Sequence, residues 1–461
     1  MTFLGILIFA AGLLVMAVAV APALCRKRPS LPPALQYPAY RAYWLGLLAS
    51  VSGYQMFRAG LFWLIYVETS SPLSIGLVAV ANAVPGIFFN LFGGVFADKL
   101  DKRLLVMCTQ ATNAFFIFIL ATLTITGQVQ PWHIMVISFV AGAIEAFDTP
   151  ARQALYPHLI DRKVMMSAVA LNSIVWQSTR IVAPAVAGFI IDFVNTGVSF
   201  FVAGAGFLTM AVVLFFLRVP PIPMGSRGNP AQDILEGLKF IRQNSIFSIL
   251  IGMTFFNTFF GMSYQVLMPV FARDILEQGA RGQGLLLGAG GAGAMLITFW
   301  FGAQATVRRK GLMIIGGAVM FGALVISFGL TSQLFHSLAL AMVIMFAMGI
   351  CNSMYMISIQ SSLQMMVPDR MRGRVMGFYG MTWSIMPLGG MQSTAIAAAI
   401  GSPMGAPIAV ALGGLAVVAF ALGPALANRK LRGLGDYLEP IESNEAETKP
   451  APSLSASGAD N

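Results

Sequence analysis

Long apolar runs, broken at short intervals by polar turns, are the dominant pattern of the chain. Apolar spans read near 4–24, 44–67, 72–97, 104–126, 131–155, 165–191, 197–217, 246–271, 282–306, 311–330, 335–366, 374–399 and 404–427. A helix of about 20 apolar residues crosses the ~30 Å hydrocarbon layer, so each run predicts a transmembrane helix, one leading span plus twelve more. Strands of outer-membrane barrels alternate over much shorter segments, which excludes that class. The pattern predicts an all-α polytopic membrane protein.

Composition agrees. Charged residues are 10% of the 461 and apolar residues 57%, with mean hydropathy +0.79; a soluble domain carries about 25% charge. The net charge of +10 is explained by location. Of the 28 lysines and arginines, 24 fall at 25–43, 98–103, 152–163, 218–245, 307–310, 367–374 and after 427, that is, in alternate loops. The opposite loops hold only Arg273 and Arg281, beside Asp274 and Glu277. By the positive-inside rule the basic side is cytoplasmic, with the C-terminus inside a bacterial inner membrane. The basic balance is a topology signal, and no nucleic-acid partner follows from it. Cys25, Cys108 and Cys351 have no paired or metal-like spacing, and the three histidines are scattered, so no metal or cofactor is expected. No phosphate-binding GxxxxGK[ST] loop and no nucleophile constellation is present, which argues against an enzyme.

The chain repeats itself. RQALYPHLIDRKVMMSAVAL from Arg152 pairs with IQSSLQMMVPDRMRGRVMGF from Ile359: Gln153 meets Gln360 at an offset of 207, and Asp161–Arg162 meets Asp369–Arg370 at 208. The same 208 carries Gly94, Ala97 and Lys102 onto Gly302, Ala305 and Lys310. Six spans separate the copies, so both have one orientation. The expected domains are an extra N-terminal transmembrane helix (1–25), an N-terminal six-helix bundle (41–217), a cytoplasmic linker (218–245), a C-terminal six-helix bundle (246–427) and a disordered cytoplasmic tail (428–461). In the linker, NPAQDILEGLKFIRQN sets Asn229 and Pro230 at a helix start and Ile234, Leu235, Leu238 and Ile241 on one face, an amphipathic helix for the inner membrane surface.

Between two spans stands GVFADKLDKRLLV, with Asp98, Lys99, Asp101, Lys102 and Arg103 in six residues. It is either a solvated topogenic spacer or a working part. It resembles the loop signature between the second and third helices of the major facilitator superfamily, Gly-x-Leu-Ala-Asp-Arg-x-Gly-Arg-Lys. Phe96 stands where that pattern has Leu and Asp101 where it has Gly. With EGLKFIRQN, RQALYPHLI and an RxxxP in helix five, the nearer match is the enterobactin-exporter-like branch, over about residues 40–427. The resemblance implies a major facilitator fold of two six-helix bundles that rock about a central site. It also implies a conformational latch at Gly94, Asp98, Lys102 and Arg103, with Arg152 as a second partner of Asp98. RIVAPAVAGF in helix five resembles the GPxxGG signature of antiporters, with Ala183 and Ala187 where glycine is usual.

Four ionisable residues lie at membrane depth: Arg58, Glu145, Asp148 and Arg180. Each costs at least ~2.5 kcal/mol near a helix centre unless paired or wetted. Asp148 lies one turn before Arg152 and can pair with it, and Glu145 and Arg180 share a depth. Either these groups are buried pairs locking the N-terminal bundle, or one carboxylate, Glu145, carries a proton. In the family architecture, helices one, four, seven and ten line the cavity. In this chain they carry Tyr54 with Arg58, Glu145 with Asp148, Asn257 with Tyr264, and Asn352 with Tyr355, spaced to share faces. Phenylalanines 255, 256, 259 and 260 and methionines 342, 345, 348, 354 and 356 accompany them, serving either a bulky, variable ligand or ordinary packing. The expectation is a monomeric exporter of a siderophore-like or drug-like small molecule by proton antiport across the lipid bilayer. A nutrient importer or symporter of the same fold and a non-transporting receptor or assembly protein are the alternatives.

Overall fold

The computed structural model describes residues 31–99, 101–217, 230–303 and 310–427; within them the backbone alone is described at 87, 90–99, 230–234, 302–303, 369–370 and 424–427. The expected N-terminal helix (1–25) and the tail (428–461) lie outside the described residues.

All regular structure among the described residues is helical. The N-terminal half contains α1 (Pro38–Thr69), α2 (Pro72–Lys99), α3 (Lys102–Ile125), α4 (Pro131–Leu155), α5 (Met165–Phe193) and α6 (Thr196–Phe216). The linker forms α7 (Pro230–Gln243). The C-terminal half contains α8 (Ser245–Ile275), α9 (Gly279–Ala303), α10 (Lys310–Phe335), α11 (Leu338–Met366), α12 (Asp369–Ser384), α13 (Met386–Ile400) and α14 (Gly405–Ala427).

Local chemistry sets the ends. Proline opens α1, α2, α4 and α7, where a missing N–H costs nothing and φ is already helical. Asp101 caps α3, accepting from the backbone N–H of Arg103 at 2.9 Å and of Leu104 at 3.2 Å. Asn195 caps α6 in the same way through Val198 N.

Nine helices among the described residues are long and apolar enough to cross a membrane, against the thirteen spans expected. The leading span is not described. The polar face of α1 (Ser50, Tyr54, Gln55 and Arg58) lowers its hydropathy, and the apolar stretch of α2 that qualifies by composition is the shorter Pro72–Gly86. The span expected at 374–399 is two pieces, 16 and 15 residues long, broken at Ile385 where Pro387 has no N–H to return to the preceding turn. The span expected at 246–271 runs to Ile275 and is irregular, with π turns at Asn257–Gly261 and Phe271–Ile275 around a 3-10 turn at Met262–Gln265.

Within the first half, α2 packs on α4, α1 on α5 and α6, and α3 on α4 and α6; within the second, α9 packs on α11 and α10 on α11 and α14. Between the halves the main contacts are α5 with α9 and α2 with α13. The second segment of each half thus meets the fifth of the other, as a duplicated chain related by two-fold symmetry would arrange them. The α5–α9 seam is close: a Cβ on Gly188 would stand 2.4 Å from Ala280 O, and one on Gly284 2.5 Å from Pro184 O. Small residues let backbones approach to this distance.

These junctions lie toward one end of the molecule, opposite the turns that carry Arg103, Arg162 and Lys163. There Tyr66 Oη donates to the Asp274 carboxylate, and Arg273 Nη1 donates to Tyr66 O at 3.3 Å while its guanidinium stacks 5.6 Å from the Tyr66 ring. Deeper in, Gln283 Nε2 donates to Ala59 O at 3.0 Å. The halves are joined at this end, and toward the basic end a cavity separates them.

Candidate functional site

The cavity has two lobes, about 410 Å³ and 580 Å³, which meet at Tyr54, Arg58, Phe62, Trp383 and Met386. Ligand sites for small molecules are commonly of this size. The smaller lobe lies among α1, α2 and α4 and carries Glu145, Asp148, Arg152 and Asn82. The larger lies among α1, α5, α8, α9 and α11 and carries Trp176, Arg180, Tyr264, Gln283 and Asn352. Both broken segments reach it: Trp383 and Met386 flank the α12–α13 break, and Met262, Tyr264 and Gln265 belong to the irregular stretch of α8. Irregular backbone at membrane depth is tolerated where it lines a cavity, and such breaks accompany binding sites at the middle of transporters.

In the smaller lobe the two acids of α4 have different partners. Asp148, 2% exposed, is fully engaged: Arg152 Nη2 stands 2.5 Å from Oδ2, while Thr109 Oγ1 at 2.7 Å and Gln110 Nε2 at 2.9 Å donate to Oδ1. Ser50 Oγ donates to Gln110 Oε1 at 2.6 Å, so the network ties α1, α3 and α4 together. Among the described residues Glu145 has no cation within ion-pair distance; its contact is a hydrogen bond of 3.4 Å from Tyr54 Oη. The pairing expected between Glu145 and Arg180 is absent. Equal depth did not fix direction, and α5 turns Arg180 into the other lobe.

The two arginines of the cavity have no carboxylate partner among the described residues. Arg58 Nη2 donates to Met386 Sδ at 3.7 Å, and its guanidinium lies 6.0 Å from the Phe62 ring. Arg180 is exposed to the larger lobe.

The remaining cavity residues expected from sequence divide. Tyr54, Tyr264 and Asn352 line it. Asn257 and Tyr355 do not. Asn257 is fully buried and donates through Nδ2 to Asn352 Oδ1 at 3.1 Å, fastening α8 to α11. Tyr355, 1% exposed, packs in an apolar cluster with Phe247, Ile314 and Leu363 inside the C-terminal half. Sequence spacing missed Trp176, Gln177, Gln265, Gln283 and Trp383; polar and indole groups within otherwise apolar spans were the signal available.

The charge cluster at the basic end is partly structural. Asp101 caps α3, Lys102 is buried, and Arg103 caps α6 by donating from Nε to Leu214 O at 2.7 Å and from Nη2 to Phe215 O at 2.6 Å. This satisfies carbonyls at the negative end of that helix. The side chain of Asp98 and its neighbour Gly94 lie outside the described residues, beyond the helical course of their backbone in α2. Arg152, the other expected latch residue, is held by Asp148.

A family model described as "Transmembrane secretion effector" (MFS_3) matches residues 30–448. The staphyloferrin A transporter of Staphylococcus aureus is 27% identical over 344 residues, 72% of this chain and 83% of that protein. Macrolide efflux protein A of Streptococcus pyogenes is 22% identical over 368 residues, 78% of this chain and 89% of that one. Among solved structures, a bacterial homologue of the human lysosomal transporter Spinster, in an inward-facing and unoccupied conformation, superposes with a TM-score of 0.64. It is 15% identical and covers 90% of this chain and 99% of that one, a likeness of fold alone.

Proposed function

The chain belongs to the transmembrane secretion effector family of the major facilitator superfamily, a multi-pass membrane transporter and not an enzyme, and from that premise we propose that it exports a small molecule. The substrate we assign is siderophore-like or drug-like, a range in which the relatives' names fall, and within the family the enterobactin-exporter-like branch is our placement. The observation that carries the reading is the two-lobed cavity between the halves, lined by ionisable groups and by the broken segments of α8 and α12–α13. With the basic end cytoplasmic, the present arrangement is the inward-open state, closed outside by the α5–α9 and α2–α13 seams and the Tyr66–Asp274 bond.

Transport then requires those seams to part and the basic end to close. Residues 41–217 and 246–427 are the two moving bodies, tethered by the amphipathic linker, and one monomer encloses one complete cavity. We assign Gly94, Asp98, Lys102 and Arg103 to the latch of the closed basic end. Arg152 can join it only by leaving Asp148, so latching and the internal ion pair compete for one guanidinium.

The proton carrier of the antiport is Glu145, the one acid of the cavity lining among the described residues that is not committed to an ion pair. The test is substrate efflux from inside-out or preloaded vesicles under an imposed pH gradient. Wild type should lose transport when the gradient collapses. Glu145→Gln should lose gradient-driven movement yet keep substrate-for-substrate exchange, and Asp98→Asn should slow transport without impairing insertion. Unchanged pH dependence in Glu145→Gln would eliminate that residue as the carrier, and full activity in Asp98→Asn would return the loop to a spacer.

A further inference from the structure

We infer that the larger lobe is an anion-binding chamber built for a small polycarboxylate, gripped at two separated acid groups by Arg58 and Arg180. The inference rests on reading the cavity as the transport site and names the class of its substrate.

The chamber of about 580 Å³ is lined by two guanidinium groups and no carboxylate. Of the acids of the neighbouring lobe, Asp148 is spent on Arg152, and Glu145 makes no ion pair with a described cation, its charge reaching Arg58 only at longer range. The direct contacts of Arg58 among the described residues are a thioether and an aromatic face. Two like charges at membrane depth, neither in an ion pair with a described carboxylate, are costly and repel each other, and both costs fall when an anion enters. A neutral ligand relieves neither, and a cationic one adds a third positive charge.

The arginines sit on different helices, α1 and α5, and each offers its own fork to the chamber, so a ligand with two acid groups answers both. A guanidinium fork matches a carboxylate with two parallel hydrogen bonds, a geometry that lysine does not offer. One turn before each arginine the wall is aromatic: Tyr54 and Trp176 meet edge to face, ring centroids 6.3 Å apart, and Trp383 stands at the junction of the lobes. That wall accepts the carbon body of the ligand. Gln283 supplies a third contact. It is 4% exposed, its Nε2 is held by Ala59 O, and its Oε1, in the same chamber, accepts no hydrogen bond from the described residues. A buried acceptor left open is matched by a ligand hydroxyl or amide N–H. The ligand class is therefore a hydroxy- or amido-polycarboxylate.

The test uses the purified full-length chain in detergent, with binding followed by calorimetry and by quenching of tryptophan fluorescence. The probes are citrate, its neutral triethyl ester, the lipophilic cation tetraphenylphosphonium, and inorganic phosphate. Citrate should bind at least tenfold more tightly than each of the other three. Its affinity should fall at least tenfold in Arg58→Gln and in Arg180→Gln, and less in the corresponding lysine variants. Arg180→Glu should reverse the order and favour tetraphenylphosphonium. The inference is overturned if citrate does not bind, if the ester, the cation or phosphate binds wild type as tightly, or if folded glutamine variants keep full citrate affinity. Should a glutamine variant fail to fold, the lysine variants and the order of the four probes on wild type still decide. Failure of the transport reading looks different: citrate binding and its dependence on both arginines would persist while no substrate crossed a vesicle membrane.

Discussion

On α4, Glu145 and Asp148 stand three residues apart, and the chain uses them in opposite ways. Asp148 has every nearby donor aimed at it, from Arg152, Thr109 and Gln110. Removing one partner of a buried pair strands the other charge, at a cost of about 3–5 kcal/mol, whereas replacing both by apolar groups is often neutral. Arg152→Gln should therefore lower the detergent-state Tm by several degrees, and Asp148→Leu with Arg152→Met should recover most of the loss. A melting curve for each variant checks this; a double variant no better than the single one would show that the network is needed for more than charge balance. Glu145, with one long hydrogen bond, should tolerate Gln with little change in Tm. The Asp148–Arg152 pair was legible from sequence because four residues on a helix fix both height and azimuth. The absence of a Glu145–Arg180 pair was not legible, because residues on two helices can share a height while facing different spaces.

Elements were legible in proportion to the length of their apolar runs, and their interruptions were not. Proline illustrates why. Pro85, Pro150 and Pro184 stand inside helices that continue through them, whereas Pro387 opens a new helix after a break and Pro269 lies in the irregular course of α8. The residue type is the same, so proline alone does not say which helix breaks; the packing around each one decides, which is a tertiary fact. The glycine-rich run GLLLGAGGAGAM reads as a packing surface from sequence, and in the fold it packs on two sides: Gly284, Gly288 and Gly291 against α5 across the seam between the halves, Gly290 and Gly293 against α11. Gly284 has no room for a side chain there, since even a Cβ would lie 2.5 Å from Pro184 O and 2.9 Å from Ala185 Cα. Gly284→Val should therefore wedge the seam open and shift the population away from the present arrangement. Spin-label distances between the 69–72 and 275–279 turns should widen in that variant. Distances identical to wild type would mean that the seam yields locally and does not set the state.

For the whole molecule, the repeat offset of 208 made two similarly oriented halves legible, while which end was closed was not, because the same sequence must support both states. The state bears on energetics. In the proposed inward-open state the guanidinium-lined chamber faces the basic end, and with that end cytoplasmic an anion would load from a compartment held at negative potential. Each net negative charge that leaves such a cell gains ~2.3 kcal/mol per 100 mV, equivalent to about a 50-fold concentration ratio. In the proposed antiport, proton entry on Glu145 draws on the same potential in the same sense, so an anion–proton exchange would move charge in both legs. A cationic drug exchanged for one proton would move none. Vesicles holding citrate as the reporter anion, with potassium and valinomycin setting the potential and the pH difference across the membrane varied independently, separate these cases. Efflux should quicken as the loading side is made more negative, and the dependence should weaken in Arg58→Gln and Arg180→Gln while the pH response of any residual flux survives. Efflux that follows the pH gradient alone, with no response to potential, would mean that no net charge crosses with the substrate, and the two arginines would then have to be balanced by something other than a polycarboxylate.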